Sequence, residues 1–227
     1  MLGALKRIAH KISGHNNPPP PSWTSRKKDG SVVPPLDIFR NSFKITTHSK
    51  LPPSLRSFHY DYLSRIAPSL TKLSQFKNND IHSSICPRSE CNDMIATSEH
   101  IVYDCIFAQS ILRFINEAYS RRDILLFKKT DDIFYLFPHK KTEDKQFLER
   151  VVLATQIKIT AFKIVTQERF STWTNQHFYV KLLNIIKSSI QICELYGIPI
   201  TYLHMLLDYA EFAALGFLHH FMFYYEN

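Results

Sequence analysis

Three cysteines and a histidine fall within one short stretch: Cys86, Cys91, His100 and Cys105. Thiolate sulfur and imidazole nitrogen are the donors that zinc takes in tetrahedral structural sites. Four residues separate Cys86 from Cys91, eight separate Cys91 from His100, and four separate His100 from Cys105. The first pair can close a local loop and the second can sit on adjacent turns of a short helix, so each pair converges at little entropic cost. Four protein ligands complete the tetrahedron and leave no position for a catalytic water. The expectation is a structural Cys3His zinc knuckle. The alternative is a set of ordinary buried cysteines beside a chance histidine. His82 is a reserve ligand, and Cys193, on the face that carries Ile186 and Ile190, reads as a core residue.

Other chemistry is poorly provided for. No glycine occurs between Ser31 and Tyr196, which leaves no phosphate-cradling loop there. Neither a Gly-x-Ser-x-Gly elbow nor a His-Glu-x-x-His pair is present. A polymerase palm needs an aromatic-x-Asp-Asp turn, whereas Asp131 and Asp132 follow Lys129 and Thr130 and are expected to cap a helix. His219 and His220 are adjacent and diverge on a helix. No enzymatic activity is expected.

The formal charge of +8 is unevenly placed, because residues 1–50 hold nine Lys and Arg against two acids. A basic arm suggests an anionic partner. The candidate nucleic-acid contacts are Arg26, Lys27 and Lys28 in that arm, with Arg113, Arg121, Arg122, Lys128 and Lys129 behind the cysteine segment. A solvated basic face accounts for them equally well. Trp23 can stack on a base or pack on the domain. The segment 77–105 has two basic residues against five acids, so the knuckle itself is read as scaffold.

From Cys86 onward the chain resembles the zinc-binding region found behind the reverse transcriptase of non-LTR retrotransposons. The residues that carry the likeness are Cys86-Pro87, Cys91, the run Thr97-Ser98-Glu99-His100-Ile101-Val102-Tyr103-Asp104-Cys105, and Phe107-Ala108 opening a helix. The stretch around Arg56-Ser57-Phe58 and Tyr62-Leu63 is similar to the segment before the cysteines. The helix from Ile164 to Trp173 is similar to a later one. Asn92 and Asp93 stand where that family often has a glycine after the second cysteine. The resemblance implies zinc ligation by the four residues, and RNA or DNA binding by a retroelement-derived tail module that lacks its polymerase.

The elements that must position these residues read as mainly α. Scarce glycine disfavours tight hairpins. Apolar residues keep helical spacing from Leu55 to Phe76, from Ile101 to Ile115, over about 143–171, over 176–196, and over a last segment at 200–225. Gly197 and Pro199 separate the last two. Three regions are expected: a basic, Pro-rich flexible arm at 1–53, extended from residue 13; a helical zinc-binding module at 54–130; and a helical bundle at 131–227.

The segment 200–225 raises the question of a membrane span. Asp208 and Glu211 near its middle would each cost about 3 kcal/mol at a bilayer centre, which favours a buried helix or a protein-docking surface through Phe217, Phe221 and Phe223. That protein-interaction role is the competing function, with membrane association the weakest. Reduced cysteines and the absence of a secretory signal point to an intracellular protein, cytoplasmic or nuclear. The acid-free start before Asp29 leaves mitochondrial import open.

Overall fold

A computed structural model describes residues 36–64, 66–75, 84–120, 127, 130–137, 146–167 and 175–225. The protein is mainly α. Among the described residues the helices are α1 (Leu36–Ile45), α2 (Pro53–Leu63), α3 (Leu70–Leu73), α4 (Ile106–Ser120), α5 (Thr130–Phe134), α6 (Phe147–Gln167), α7 (Asn175–Leu195) and α8 (Leu203–Tyr225). A single turn of 3₁₀ helix spans Ser89–Cys91, and a π-turn spans His100–Asp104.

The long helix α6 is the centre of the packing, touching α2, α4, α7 and the π-turn. Its residues Val151, Val152, Leu153, Ala154, Ile157, Ala161, Ile164 and Val165 are almost wholly buried. An apolar surface on several sides suits a helix enclosed by neighbours rather than laid on a surface. Burying the Val, Leu and Ile side chains among them supplies about 1.5–3 kcal/mol each. The resulting core runs from Phe43 to Ala210 and crosses residue 130 without a break.

Helix α7 ends in a left-handed cap. Gly197 takes φ +62°, the Ile198 N–H reaches back to the Cys193 carbonyl at 2.8 Å, and the chain turns into α8. The N-terminus of α8 is capped from outside. Glu149 of α6, 1% exposed, accepts the N–H groups of Thr201, Tyr202 and Leu203 on Oε1 at 3.0, 2.7 and 2.8 Å. A carboxylate there satisfies donors that the helix cannot and meets the positive end of its dipole. Among the described residues, no helix is long and apolar enough to cross a membrane.

Three expectations need correction. Residues 36–53 do not belong to an extended arm: α1 and its following loop pack on α2, burying Ile38, Phe43, Ile45 and Leu51. The proline pairs around this stretch obscured a helical apolar period, reinforced by Asp37 in the first turn and Lys44 in the last. Ile66, within the stretch from Leu55 to Phe76 expected to keep a helical apolar face, lies beyond the end of α2 and is 60% exposed, because Ile66 and Ala67 both turn their N–H groups onto the Asp61 carbonyl. Asp131 and Asp132 lie inside the short α5 rather than ahead of it. Helices at 143–171, 176–196 and 200–225 appear as α6, α7 and α8.

Candidate metal centre

The loop that carries the first two cysteines is closed by backbone. Cys86 N–H donates to the Met94 carbonyl at 2.8 Å and Ala96 N–H to Ser84 at 2.8 Å, making a one-rung antiparallel bridge between Ile85 and Ile95. Inside it, Cys91 N–H reaches the Arg88 carbonyl at 2.9 Å. Asn92 and Asp93 then reverse the chain at φ 49° and 57°. Asn and Asp tolerate the left-handed region best among residues with a Cβ, which is how this loop turns without a glycine.

The second pair is delivered by helix geometry. Thr97 Oγ1 accepts the His100 N–H at 3.1 Å, capping the turn that starts there. The Cys105 N–H then bonds the His100 carbonyl at 2.7 Å, a step of five residues that defines the π-turn. Cys105 breaks the helix (φ −59°, ψ 134°), and its carbonyl accepts the first bond of α4 from Gln109 N–H at 2.9 Å. The extra residue in the turn lets His100 and Cys105 share one side. Such bulges recur where a helix must aim a functional side chain.

The structure brings all four expected ligands together. Cys86, Cys91, His100 and Cys105 are buried, and their donor atoms lie within 4.8 Å of one another. Cys91 Sγ and Cys105 Sγ are 3.9 Å apart, against about 3.8 Å for two sulfurs bound to one tetrahedral zinc with bonds of about 2.3 Å. Both ring nitrogens of His100 are buried and lack a hydrogen-bond partner. A buried imidazole with neither nitrogen satisfied is costly unless something outside the protein's own donors and acceptors takes a lone pair. A metal ion fits that requirement.

The electrostatics favour a thiolate at Cys86 and thiols at Cys91 and Cys105. The Arg88 N–H points at Cys86 Sγ, the Ile106 N–H at Cys91 Sγ and the Phe107 N–H at Cys105 Sγ. Two of those donors are the first N–H groups of α4, whose dipole adds to the effect. A hydrogen bond from the Cys105 thiol draws Cys86 down to about 4, while the same bond, with burial, pushes Cys105 up. Burial also raises Cys91. One sulfur thus carries charge without a metal, and a divalent cation would displace the protons of the rest.

These backbone donors and the Thr97 cap were not identified from sequence, although a Thr ahead of a helical run is a readable N-cap signal. Cys193 is a core residue as expected, fully buried, its thiol pushed up to about 12 by burial. Of the candidate basic contacts, Arg113 is exposed on α4. Arg26, Lys27, Lys28, Arg121, Arg122, Lys128 and Lys129 lie outside the described residues, as do Trp23 and His82. The side chains of Phe217, Phe221 and Phe223 do as well.

The chain matches none of the protein-family models, curated proteins or solved structures with which it was compared.

Proposed function

We propose that this chain is a non-catalytic, zinc-stabilised helical module that binds RNA or DNA. The observation that carries the reading is the buried Cys3His set, in which the unsatisfied His100 nitrogens sit among three sulfurs at zinc-like spacing. Three thiols and one imidazole suit zinc better than magnesium or calcium, which take oxygen. Four protein donors close the coordination sphere, so the metal's contribution is to folding. It would tie the loop of Cys86 and Cys91 to the base of α4.

The nucleic-acid part rests on charge. The acidic knuckle is a poor partner for phosphate, whereas Arg113 is exposed on the helix behind it, and the sequence adds Arg121, Arg122, Lys128 and Lys129 after that helix and Arg26, Lys27 and Lys28 before the domain. This agrees with the resemblance to retroelement tail modules. The test is a gel shift of the zinc-loaded chain with RNA and with duplex DNA over rising salt, beside Arg121→Glu with Arg122→Glu. A shift that weakens steeply with salt and is lost in the variant supports the reading. A wild-type protein that shifts neither probe sinks it.

A second reading, a protein-interaction module, draws on one observation. Ile85, Met94, Ile95 and Ile106 are 42%, 49%, 56% and 37% exposed, all on or beside the metal loop. Apolar side chains grouped outside a rigid scaffold are what a docking surface requires. Salt-tolerant association that is lost on Met94→Lys would favour this alternative.

A further inference from the structure

Most of the chain's formal charge belongs to residues 1–50, and two of its arm's cations lie on the helix that sequence reasoning placed in a linker. Arg40 and Lys44 are exposed and one turn apart on α1. Like charges at that spacing oppose each other on a helix surface. Beyond them the loop carries His48 and exposed Lys50, and α2 carries Arg56 in its first turn, a turn that has no acid.

The α1–α2 hairpin therefore gathers cations at its loop end. Two of them, Lys50 and Arg56, lie close enough to His48 that, after partial burial, their charges lower its pKa from the ordinary histidine value. Among the described residues, none of Arg40, Lys44, Lys50 and Arg56 enters an ion pair. Arg56 Nε is in addition buried without a hydrogen-bond partner. Asp37 stands at the first turn of α1, where it meets the helix dipole, and the carboxyl of Asp61 on α2 is raised by burial rather than lowered by a cation. Lys44 answers the dipole of α1, but Arg40, Lys50 and Arg56 have no such partner among the described residues, and an anion supplied from outside would neutralise all four.

We infer that the loop end of the α1–α2 hairpin, through Arg40, Lys44, Lys50 and Arg56, is a further contact surface for the phosphodiester backbone of a nucleic acid. The inference rests on the nucleic-acid reading above and adds a surface to it. The hairpin is held to the core by Phe43 and Leu55, so these contacts are fixed in position, unlike contacts made by a peptide tail. They read charge and spacing, not sequence.

The test uses the full zinc-loaded chain and fluorescence anisotropy with labelled single-stranded RNA of about twenty nucleotides, repeated with duplex DNA to separate the two sources of phosphate. Lys44→Gln with Lys50→Gln is compared with an equal charge change elsewhere, Lys163→Gln with Lys187→Gln. On the single strand, the hairpin pair is expected to lower the slope of log affinity against log salt by about 1.4, or about 0.7 for each lost phosphate contact, while the other pair leaves it unchanged. An unchanged slope in the hairpin pair overturns this surface and leaves the nucleic-acid reading standing. Equal losses in both pairs overturn it too, by making net charge the cause. A wild-type chain that binds neither probe overturns both.

Discussion

Cys91 and Cys105 are fourteen positions apart in sequence and their sulfurs are 3.9 Å apart in space, one from a 3₁₀ turn and the other from the break between a π-turn and α4. Two unrelated local geometries meet at a single point. Without a bound cation, that point concentrates three sulfurs and an unsatisfied imidazole inside the protein, an arrangement that costs rather than supplies stability.

Removing a ligand should therefore expose how much of the fold depends on the metal. On the proposed zinc reading, the chain is expected to bind one zinc, Cys105→Ser and Cys86→Ser are each expected to abolish that binding, and each is expected to lower stability by several kcal/mol of the order of 10 kcal/mol that a structural zinc can supply. Native mass spectrometry reads the stoichiometry directly. Hydrogen exchange should show faster exchange at the start of α4. A wild-type chain that carries no zinc would end the idea.

Glu149 offers a test that is independent of the metal. Its Oε1 takes three N–H groups at the start of α8, each from a residue more than fifty positions away. Glu149→Ala leaves those buried donors without a partner and should destabilise the protein by about 3 kcal/mol, with Glu149→Gln costing roughly half, since an amide oxygen accepts the same bonds without the charge. Urea unfolding of the two variants measures the difference. Equal stability of Glu149→Ala and wild type would contradict the capping role.

Lys158 sets a pH dependence. Its Nζ donates to the Phe134 carbonyl at 2.9 Å and lies 4.3 Å from the centre of the Tyr62 ring, yet complete burial outweighs both and holds its pKa well below 10.5. Between that depressed value and 10.5 the unfolded chain binds a proton that the native chain does not. Stability attributable to this residue must then rise with pH through that window, by up to about 1.4 kcal/mol per unit, and level off above 10.5. The measurement is the difference in unfolding free energy between wild type and Lys158→Met at several alkaline pH values. A difference that does not change with pH would show that Lys158 titrates normally.

Gly197 isolates a backbone effect. At φ +62°, a Cβ would meet nothing within 4 Å, so Gly197→Ala adds only the conformational cost of the left-handed region. That cost is about 1 kcal/mol. Thermal unfolding should show a modest loss with no change in metal content. No loss would mean the cap rearranges.

The cluster of Cys86, Cys91, His100 and Cys105 was legible because thiols and an imidazole at short spacing announce a possible metal site, and the long helices because their apolar residues recur at a period near 3.6. What was not legible is physical in a common way. The π-turn depends on one backbone bond from Cys105 to His100, which no side chain announces. Glu149 reads as an ordinary surface acid until its partners arrive from the far end of the chain. Leu36–Ile45 was hidden by composition: prolines before and after it suggested an extended arm, although Ile38, Phe43 and Ile45 already had the spacing of a buried face.

The docking of α1 yields the clearest discriminating variant. If residues 36–53 were a solvated arm, replacing Phe43 would have almost no effect on stability. In the structure Phe43 is 4% exposed, its ring 6.0 Å from Phe39 and 5.6 Å from Tyr60, edge-on to the latter. Beside it, Ser42 Oγ lies 3.0 Å from His59 Nε2, a buried polar contact that depends on α1 staying docked. Phe43→Ala should cost about 3 kcal/mol through lost burial and the cavity left behind. Because α1 reaches the rest of the core through α2, the loss should appear as a shift of the whole unfolding transition and not as local fraying. A separate early transition of α1 would instead place the hairpin outside the cooperative core, and with it the rigid presentation of Lys44 and Lys50.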